Sequence, residues 1–103
     1  MNFFYMQTRC YYVYIATNKT HKVLYTGVTN NVYNRIEQHK DKISSNSFTA
    51  KYNINKLVYY ETYTDVYSAL NREKQIKAGS RQDKLNLISG LNPKWKDLST
   101  QEL

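Results

Sequence analysis

Two short runs near the start of the chain consist almost entirely of hydrophobic positions, and a polar stretch separates them. Residues 10–16 read CYYVYIA and residues 23–28 read VLYTGV, and both runs are rich in β-branched and aromatic side chains. The stretch between them, TNKTHK, has the polar composition of a turn. Because alternate residues of a strand face opposite sides of a sheet, Tyr14 is expected on the face opposite Val13 and Ile15. The pattern predicts a β-hairpin.

A helical period follows the hairpin over residues 32–40, and Thr29 or Asn30 is suited to cap this helix. Its apolar stripe ends in His39, and Arg35 lies at the edge of the stripe one turn earlier. The helix is therefore expected to bury one face and to carry a guanidinium and an imidazole along the same side.

The middle of the chain has no clear period. Residues 41–55 are dominated by serine, asparagine and lysine, which predicts a mobile basic loop. Residues 56–63 read KLVYYETY and predict a third strand by their β-propensity.

Two further helices are predicted in the second half. The first covers residues 66–77, with Thr64 or Asp65 as its cap and Ala78-Gly79 as its stop. The second begins at Ser80, three residues before Asp83, and ends near Gly90, because Asn92-Pro93 prevents its continuation. Trp95 and Leu98 in the tail are expected to pack back on the domain.

These elements predict an α+β fold with a small three-stranded antiparallel sheet flanked by helices, in the order ββαβαα. A chain of 103 residues is long enough for one small core and too short for two. We expect a loosely ordered lead-in over residues 1–9, a domain over residues 10–98 and a tail over residues 99–103.

The net charge of the chain indicates which class of molecule it would bind. The formal net charge is +7, which favours a polyanion such as nucleic acid, although a solvated basic surface without a partner is the alternative. No transmembrane or signal segment is evident, and no segment has the strong apolar face of a membrane-surface helix, so a membrane partner is not expected. A lone cysteine, Cys10, cannot form an internal disulfide and fits a reducing compartment.

Glu73 stands out within its predicted helix. It lies near the centre of the stripe formed by Val66, Ala69, Leu70 and Lys77, where an apolar residue is expected. A carboxylate in such a place must be paired, hydrogen-bonded or metal-bound, because burying it alone is costly. Two interpretations are open: a salt bridge to Arg72, Lys77 or a residue elsewhere, or a ligand for a divalent cation completed by water and a substrate phosphate.

The ordered set Tyr12-Val13-Tyr14, Tyr25-Thr26-Gly27, Arg35, His39 and Glu73 resembles the GIY-YIG endonuclease domain. The resemblance covers about residues 11–98, and the segment 90–98, GLNPKWKDL, is similar to the end of small stand-alone bacterial members. Two positions depart from the motifs: Tyr12 replaces a glycine and Thr26 replaces an isoleucine.

The resemblance implies hydrolysis of phosphodiester bonds with one divalent cation, Mg²⁺ or Mn²⁺. Tyr14 would be the general base, although a phenol with a pKa of about 10 needs a nearby cation to act at neutral pH. Tyr25 would orient the nucleophile or the phosphate, and Arg35 would bind phosphate oxygens in the transition state. Glu73 would hold the metal. His39 would assist proton transfer or bind phosphate.

Each of these residues also has an ordinary structural interpretation. Tyr14 and Tyr25 can be half-buried strand residues, and Arg35 can belong to a surface ion pair. His39 can simply close its helix, where a cation suits the helix dipole. The ordered set as a whole favours the catalytic interpretation.

The remaining basic residues are interpreted as a track for the phosphates of a nucleic acid. Their proposed members are Lys40, Lys42, Lys51, Arg72, Lys74, Lys77, Arg81 and Lys84.

The sequence therefore predicts a metal-dependent DNA endonuclease, structure-selective or nonspecific, acting in DNA repair, recombination or processing. It leaves RNA as a substrate open and favours a monomer or a weak homodimer. The family resemblance implies a location in the bacterial cytoplasm. One alternative is a nucleic-acid-binding module that keeps the fold without cutting. Another is an interaction module whose exposed tyrosines form an interface.

Overall fold

The computed structural model describes residues 10–41 and 48–100. Its strands are β1 (Tyr11–Thr17), β2 (Leu24–Thr29) and β3 (Lys56–Tyr63). Its helices are α1 (Val32–Asp41), α2 (Phe48–Lys51), α3 (Val66–Ala78) and α4 (Arg81–Leu91), followed by a short 3₁₀ helix over Leu98–Thr100. The predicted lead-in, residues 1–9, and the end of the tail, residues 101–103, lie outside the described residues.

The three strands form one antiparallel sheet in the order β2-β1-β3. The predicted hairpin is confirmed, and β1 and β2 each begin one residue later than expected. On the central strand, Tyr14 lies opposite Gly27 of β2 and Tyr60 of β3. A register shift between Ile15 and Ala16 interrupts the β1–β3 ladder. The predicted α+β architecture is confirmed.

One face of the sheet is covered by α3 and α4. Val13 and Ile15 of β1 pack there with Ala69, Ile76 and Ile88, and all of these side chains are buried. Trp95 of the tail packs against the edge of this cluster. Removing such apolar side chains from water is the main favourable term that holds the two helices on the sheet.

The opposite face is covered by α1 and by the segment after α2. Tyr14 and Ala16 of β1 pack there with Ile36 of α1 and with Ile54. Leu98 packs against this second cluster, so the expectation that the tail folds back onto the domain is confirmed. The central strand thus separates two cores and places Tyr14 in the one that contains α1.

The structure corrects the predicted cap of α1 and confirms the caps of the two later helices. Asn31, and not Thr29 or Asn30, caps α1, because its side-chain oxygen accepts from the Asn34 amide at 3.0 Å. Thr29 is the last residue of β2. The predicted caps Asp65 and Ser80 are confirmed, and Ser80 forms a reciprocal capping box with Asp83.

The prediction of a mobile basic loop over residues 41–55 is wrong at residue 41, which ends α1, and in its second half, whereas residues 42–47 lie outside the described residues. Residues 48–51 form α2, and Thr49 and Ala50 are buried there. Ile54 is fully buried, and its amide donates to the Thr49 carbonyl at 2.8 Å. A helix of four residues is too short to produce a recognisable hydrophobic period, so the sequence pattern could not show it.

The segment after α4 is held by two polar side chains. Asn92 is buried and donates to the carbonyls of Val58, at 3.1 Å, and Lys96, at 2.8 Å. Its side-chain oxygen accepts from the Lys96 amide at 3.0 Å. Asp97 accepts from the Leu57 amide at 3.2 Å, which ties the tail to β3.

Candidate active site

The site is built around the crossing of Tyr14 over Gly27. Tyr14 is only 1% exposed, and its ring lies against the backbone of the neighbouring strand at Gly27. A Cβ atom at Gly27 would stand 2.6 Å from the Tyr14 hydroxyl oxygen and 2.7 Å from its ring carbon Cζ. Only a residue without a side chain therefore leaves room for the phenol in this position.

His39 lies in the last turn of α1 and meets the same phenol. Its Nε2 atom and the Tyr14 hydroxyl share a buried hydrogen bond of 3.1 Å. Burial lowers the pKa of His39, and the Arg35 guanidinium lowers it further. His39 is therefore neutral at pH 7, and one of its ring nitrogens is available as a proton acceptor.

Three neighbours act on the ionisation of Tyr14. Burial raises the pKa of Tyr14 well above its usual range, and the neighbouring Tyr25 and Glu73 act in the same direction. Arg35 opposes them. Arg35 belongs to α1 and Glu73 to α3, and these helices pack on opposite faces of the sheet. Tyr14 is consequently protonated at neutral pH.

Tyr25 completes an aromatic group with Tyr14 and His39. It lies two residues before Gly27 on β2, so it points to the same side of the sheet. Its ring centroid is 6.2 Å from that of Tyr14 and 5.7 Å from that of His39, and it meets the imidazole edge-on. Tyr25 is half-buried, which leaves part of its side chain accessible to a substrate.

The two charged residues of the predicted set differ in their exposure to solvent. Arg35 is exposed on α1, one turn before His39. The Glu73 side chain on α3 is 16% exposed and pairs with the Lys77 ammonium at 3.1 Å. The salt bridge that the sequence left open for Glu73 is thus present.

A divalent cation at this site would depend mainly on Glu73. Among residues 10–41 and 48–100, no three histidine, cysteine or acidic side chains are grouped as metal ligands. A single carboxylate with water and substrate phosphate as further ligands is a normal arrangement for Mg²⁺. The Glu73 carboxylate fits that role, because its partner Lys77 is exposed and can release it at small cost.

The basic residues predicted to bind nucleic acid do not all lie free in solvent. Lys40 pairs with Asp97 at 3.5 Å and with Glu37 at 3.8 Å. Lys51 lies 5.5 Å from the ring centroid of Tyr52. Lys42 lies outside the described residues.

The others lie on α3 and α4. Arg72 holds both carboxylate oxygens of Glu61, with its Nε donating at 2.9 Å to Oε1 and its Nη2 at 3.0 Å to Oε2. Arg81 donates to the His21 carbonyl at 3.0 Å, and Lys84 to the Gly79 carbonyl at 2.9 Å. Lys74 and Lys77 are exposed on α3, in the turn that follows Glu73. Arg72 thus has a structural partner, which makes it the weakest member of the predicted track.

Sequence reasoning missed two parts of this region. The contact between Gly27 and Tyr14 depends on strand register, although the glycine itself was part of the recognised motif. Phe48 stacks on Tyr25, with ring centroids 6.1 Å apart. The signal for Phe48 was present as an aromatic residue inside an otherwise polar stretch, but nothing in the pattern related it to Tyr25.

Comparison with known proteins decides the family. A family model described as the GIY-YIG catalytic domain matches residues 10–86. The chain belongs to the GIY-YIG family. The matched range includes Tyr14, Tyr25, Arg35, His39 and Glu73, so the resemblance noted in the sequence is confirmed at the level of the family.

Small bacterial proteins are similar in sequence to this GIY-YIG chain over most of its length. A UPF0213 protein of Syntrophus aciditrophicus is 41% identical over 81 residues, which cover 75% of this chain and 87% of the relative. A UPF0213 protein of Clostridium perfringens is 43% identical over 82 residues, covering 76% and 82%. The solution NMR structure of a UPF0213 protein from Bacillus halodurans matches with a TM-score of 0.55 and 28% identity, covering 91% of this chain and 96% of that one.

None of the helices in the described part of this GIY-YIG chain is both long and apolar enough to cross a membrane.

Proposed function

We propose that this protein is a metal-dependent endonuclease that hydrolyses phosphodiester bonds of DNA. The observation that carries the proposal is the buried hydrogen bond between the Tyr14 hydroxyl and Nε2 of His39. The Tyr14 phenol crosses Gly27 and reaches the neutral imidazole of His39, which is an arrangement that can transfer a proton. Arg35 and Glu73 act electrostatically on the same phenol, and both can serve the binding of a phosphate.

The raised pKa of Tyr14 argues against a free phenolate as the base. We assign proton transfer to the Tyr14–His39 pair. With the Nδ1-protonated tautomer of His39, the Tyr14 hydroxyl donates to Nε2 and its oxygen accepts a proton from the attacking water. As the water oxygen bonds to phosphorus, its proton passes to Tyr14 and the Tyr14 proton passes to His39. The bond from phosphorus to the 3′ oxygen breaks, and that oxygen takes a proton from solvent.

Two charged side chains would stabilise the phosphate. The planar guanidinium of Arg35 suits two phosphate oxygens. Glu73 would hold the divalent cation, which, when bound, neutralises developing negative charge on the phosphate and leaving oxygen. Tyr25 lies against both Tyr14 and His39, so its hydroxyl is suited to orient the water or the phosphate.

Phosphate contacts outside this centre would come from lysines that lie near its residues in sequence. Lys40 follows His39 directly, and Lys74 and Lys77 follow Glu73 by one and four residues. Such contacts provide affinity that depends on salt and carries no sequence information. This supports a nuclease that selects DNA by structure or acts without selection, and it extends to RNA only if the site accepts a 2′-hydroxyl.

The test is cleavage of duplex, single-stranded, flap and branched DNA with Mg²⁺, with Mn²⁺ and with a chelator. Tyr14→Phe and Glu73→Gln are each expected to lower the rate about 10²-fold or more, since each removes a proton-transfer or metal-binding group. Tyr60→Phe and Glu37→Gln are the matched controls, because Tyr60 is the cross-strand neighbour of Tyr14 and Glu37 is an exposed helical glutamate. Metal-independent cutting that survives both site substitutions would overturn the proposal.

A second candidate is a binding module that retains the fold and cuts poorly. It is favoured by the Glu73–Lys77 ion pair, which occupies the carboxylate that a metal would need. In that case the wild-type protein binds DNA in a salt-dependent way and shows no metal-dependent cleavage of any substrate in the panel. The Glu73→Gln variant then binds DNA as tightly as the wild type.

A further inference from the structure

A row of aromatic rings leads from the Tyr14–His39 pair to the protein surface. Tyr25 stacks on Phe48, with an angle of 30° between the ring planes. Phe48 in turn contacts Tyr52, with ring centroids 4.7 Å apart. Phe48 is 49% exposed and Tyr52 is 39% exposed, so the outer end of the row is open to solvent within the described structure.

The outer rings are carried by an anchored segment. Of the three residues between them, Thr49 and Ala50 are buried and Lys51 is exposed, and the following Ile54 is fully buried in the core that contains Tyr14. The Tyr52 amide donates to the Phe48 carbonyl at 3.1 Å, which fixes the spacing of the two aromatic residues. The segment therefore buries its small side chains and presents Phe48 of α2 and the following Tyr52 to solvent, the reverse of what a purely structural segment does.

A cation accompanies the exposed rings. The Lys51 ammonium lies 5.5 Å from the ring centroid of Tyr52. An aromatic surface beside a lysine, on a protein with a net charge of +7, matches the composition of single-strand nucleic-acid sites. In such sites the bases stack on the rings and the cations bind the phosphates. A protein partner would be expected to cover the rings without needing the cation.

We propose that Phe48 and Tyr52 form a stacking platform for an unpaired nucleobase of the strand whose phosphate lies at Tyr14 and Arg35. This inference rests on the proposed nuclease function and specifies its substrate class as DNA that is single-stranded at the cleavage site. A base in an intact duplex has its faces covered by its neighbours, so it cannot stack on a protein ring unless it leaves the helix. The platform thus selects against continuous duplex DNA.

The experiment measures binding without cleavage, in the presence of a chelator. Fluorescence anisotropy compares a labelled single-stranded oligonucleotide with the same sequence as a duplex. Phe48→Ala is expected to weaken single-strand binding about 5- to 150-fold, the range for loss of one base stacked on an aromatic ring. Duplex binding is expected to change less than about twofold, because it depends on phosphate contacts.

Two further variants keep the result interpretable. Phe48→Leu retains apolar bulk for folding, and it is expected to lose most of the same single-strand affinity because leucine has no ring face. Tyr67→Ala is the matched control, since Tyr67 is 72% exposed on α3 and is not part of the aromatic row. Circular dichroism melting confirms that each variant is folded before its affinity is compared.

A single abasic nucleotide, moved along the strand, gives a second readout. If a base stacks on Phe48, one abasic position weakens binding to the wild type and has little further effect on Phe48→Ala, because both changes remove the same contact. Equal losses for single-stranded and duplex DNA, additive effects at every position, or no DNA binding at all would overturn the platform. A change in oligomeric state in Phe48→Ala with unchanged DNA binding would instead assign the rings to a protein interface.

Failure of the platform differs from failure of the nuclease proposal. Metal-dependent cleavage with no preference for single strands leaves the nuclease and removes the platform. Selective single-strand binding that is lost in Phe48→Ala, without cleavage under any metal condition, retains the platform and removes the nuclease.

Discussion

The missing side chain of Gly27 is what allows Tyr14 to reach His39. The phenol of Tyr14 occupies the space that a Cβ of residue 27 would need, 2.6 Å from the hydroxyl oxygen. The same hydroxyl then bonds Nε2 of His39 at 3.1 Å. Gly27 of β2 thus makes room for a hydrogen bond that joins β1 to α1.

Gly27→Ala tests this relationship. The added methyl group must displace the ring, because the contact is too short for any real Cβ and β-sheet backbone yields little. We expect a loss of about 1–3 kcal/mol in the free energy of unfolding from overpacking. We also expect about a 10²-fold lower cleavage rate from a misplaced catalytic group.

Gly90→Ala is the control for that substitution. Gly90 lies in α4, and a Cβ there would meet nothing within 4 Å. Alanine is favoured over glycine in a helix by about 1 kcal/mol, so this variant is expected to be more stable with unchanged activity. Urea unfolding and a single cleavage assay give both comparisons. A Gly27→Ala protein as active as the wild type would show that the phenol position is not needed.

Acidification is expected to weaken the fold through His39. Its pKa is lowered in the folded protein by burial and by Arg35, from an ordinary value of 6.5, and the Tyr14 and Tyr25 rings also face it. The unfolded chain therefore binds a proton that the folded protein does not, and this favours unfolding as the pH falls below about 6.5. Above that pH both states hold a neutral imidazole and the effect disappears.

Urea unfolding at pH 5.5 and 7.5 measures this effect, and His39→Gln isolates it. The variant keeps a side chain that can hydrogen-bond Tyr14 but does not titrate, so its stability is expected to fall less on acidification than that of the wild type. The residual fall includes His21, whose pKa is lowered by burial and by Lys56. If the wild type and His39→Gln lose the same stability, His39 does not titrate in the expected sense.

Local patterns predicted most of the fold, and contacts between distant residues produced what they missed. The hairpin, β3 and the two later helices follow from β-propensity, turn composition, helical period and caps, as the Ser80–Asp83 capping box illustrates. Tyr14 and His39 were recognised as candidates from an ordered motif. Their hydrogen bond and the opposed effects of burial and Arg35 on the Tyr14 pKa arise only from tertiary packing.

The segment before β3 shows the limit of pattern reading. Its serine, asparagine and lysine composition favours a loop, yet Ile54 is fully buried and α2 precedes it. One buried isoleucine and a single helical turn leave no repeat for a sequence pattern to detect.

Similarly, charge alone assigns Arg72 to the nucleic-acid track, whereas its bidentate pair with Glu61 depends on a contact between α3 and β3.

Asn92 is expected to be a major determinant of stability. It is 5% exposed, and its amide joins the end of α4 to β3 and to the Lys96 backbone through three hydrogen bonds. Asn92→Ala leaves buried backbone groups without these partners, and a loss of about 2–3 kcal/mol in the free energy of unfolding is expected. Asn86→Ala is the control.

Asn86 is exposed, and its side chain bonds only that of Gln82, at 2.9 Å, among the described contacts. Its replacement is expected to change stability by less than about 0.5 kcal/mol. The shift of the urea midpoint measures both variants. Equal shifts would mean that the Asn92 amide contributes no more than a surface side chain.

Thr26 and Thr17 provide opposite predictions for the same substitution. Thr26 is 5% exposed, and its hydroxyl oxygen has no hydrogen-bond partner within the described structure. Thr17 is fully buried, and its hydroxyl donates to the Val23 carbonyl at 2.7 Å. Thr26→Val removes an unsatisfied polar group and is expected to stabilise the protein by about 1 kcal/mol, whereas Thr17→Val is expected to destabilise it by about 1–2 kcal/mol.

Thermal unfolding of the two valine variants shows whether each substitution stabilises or destabilises the protein. The cleavage assay shows whether the Thr26 hydroxyl also acts in the reaction. Thr26 replaces an isoleucine of the second motif, so a β-branched apolar residue is compatible with the strand at this position. If Thr26→Val is stable and fully active, the hydroxyl is a tolerated defect of the core. If it is stable but loses cleavage, the hydroxyl acts in the reaction, and the partner it lacks in the free protein is supplied by the substrate or a bound water.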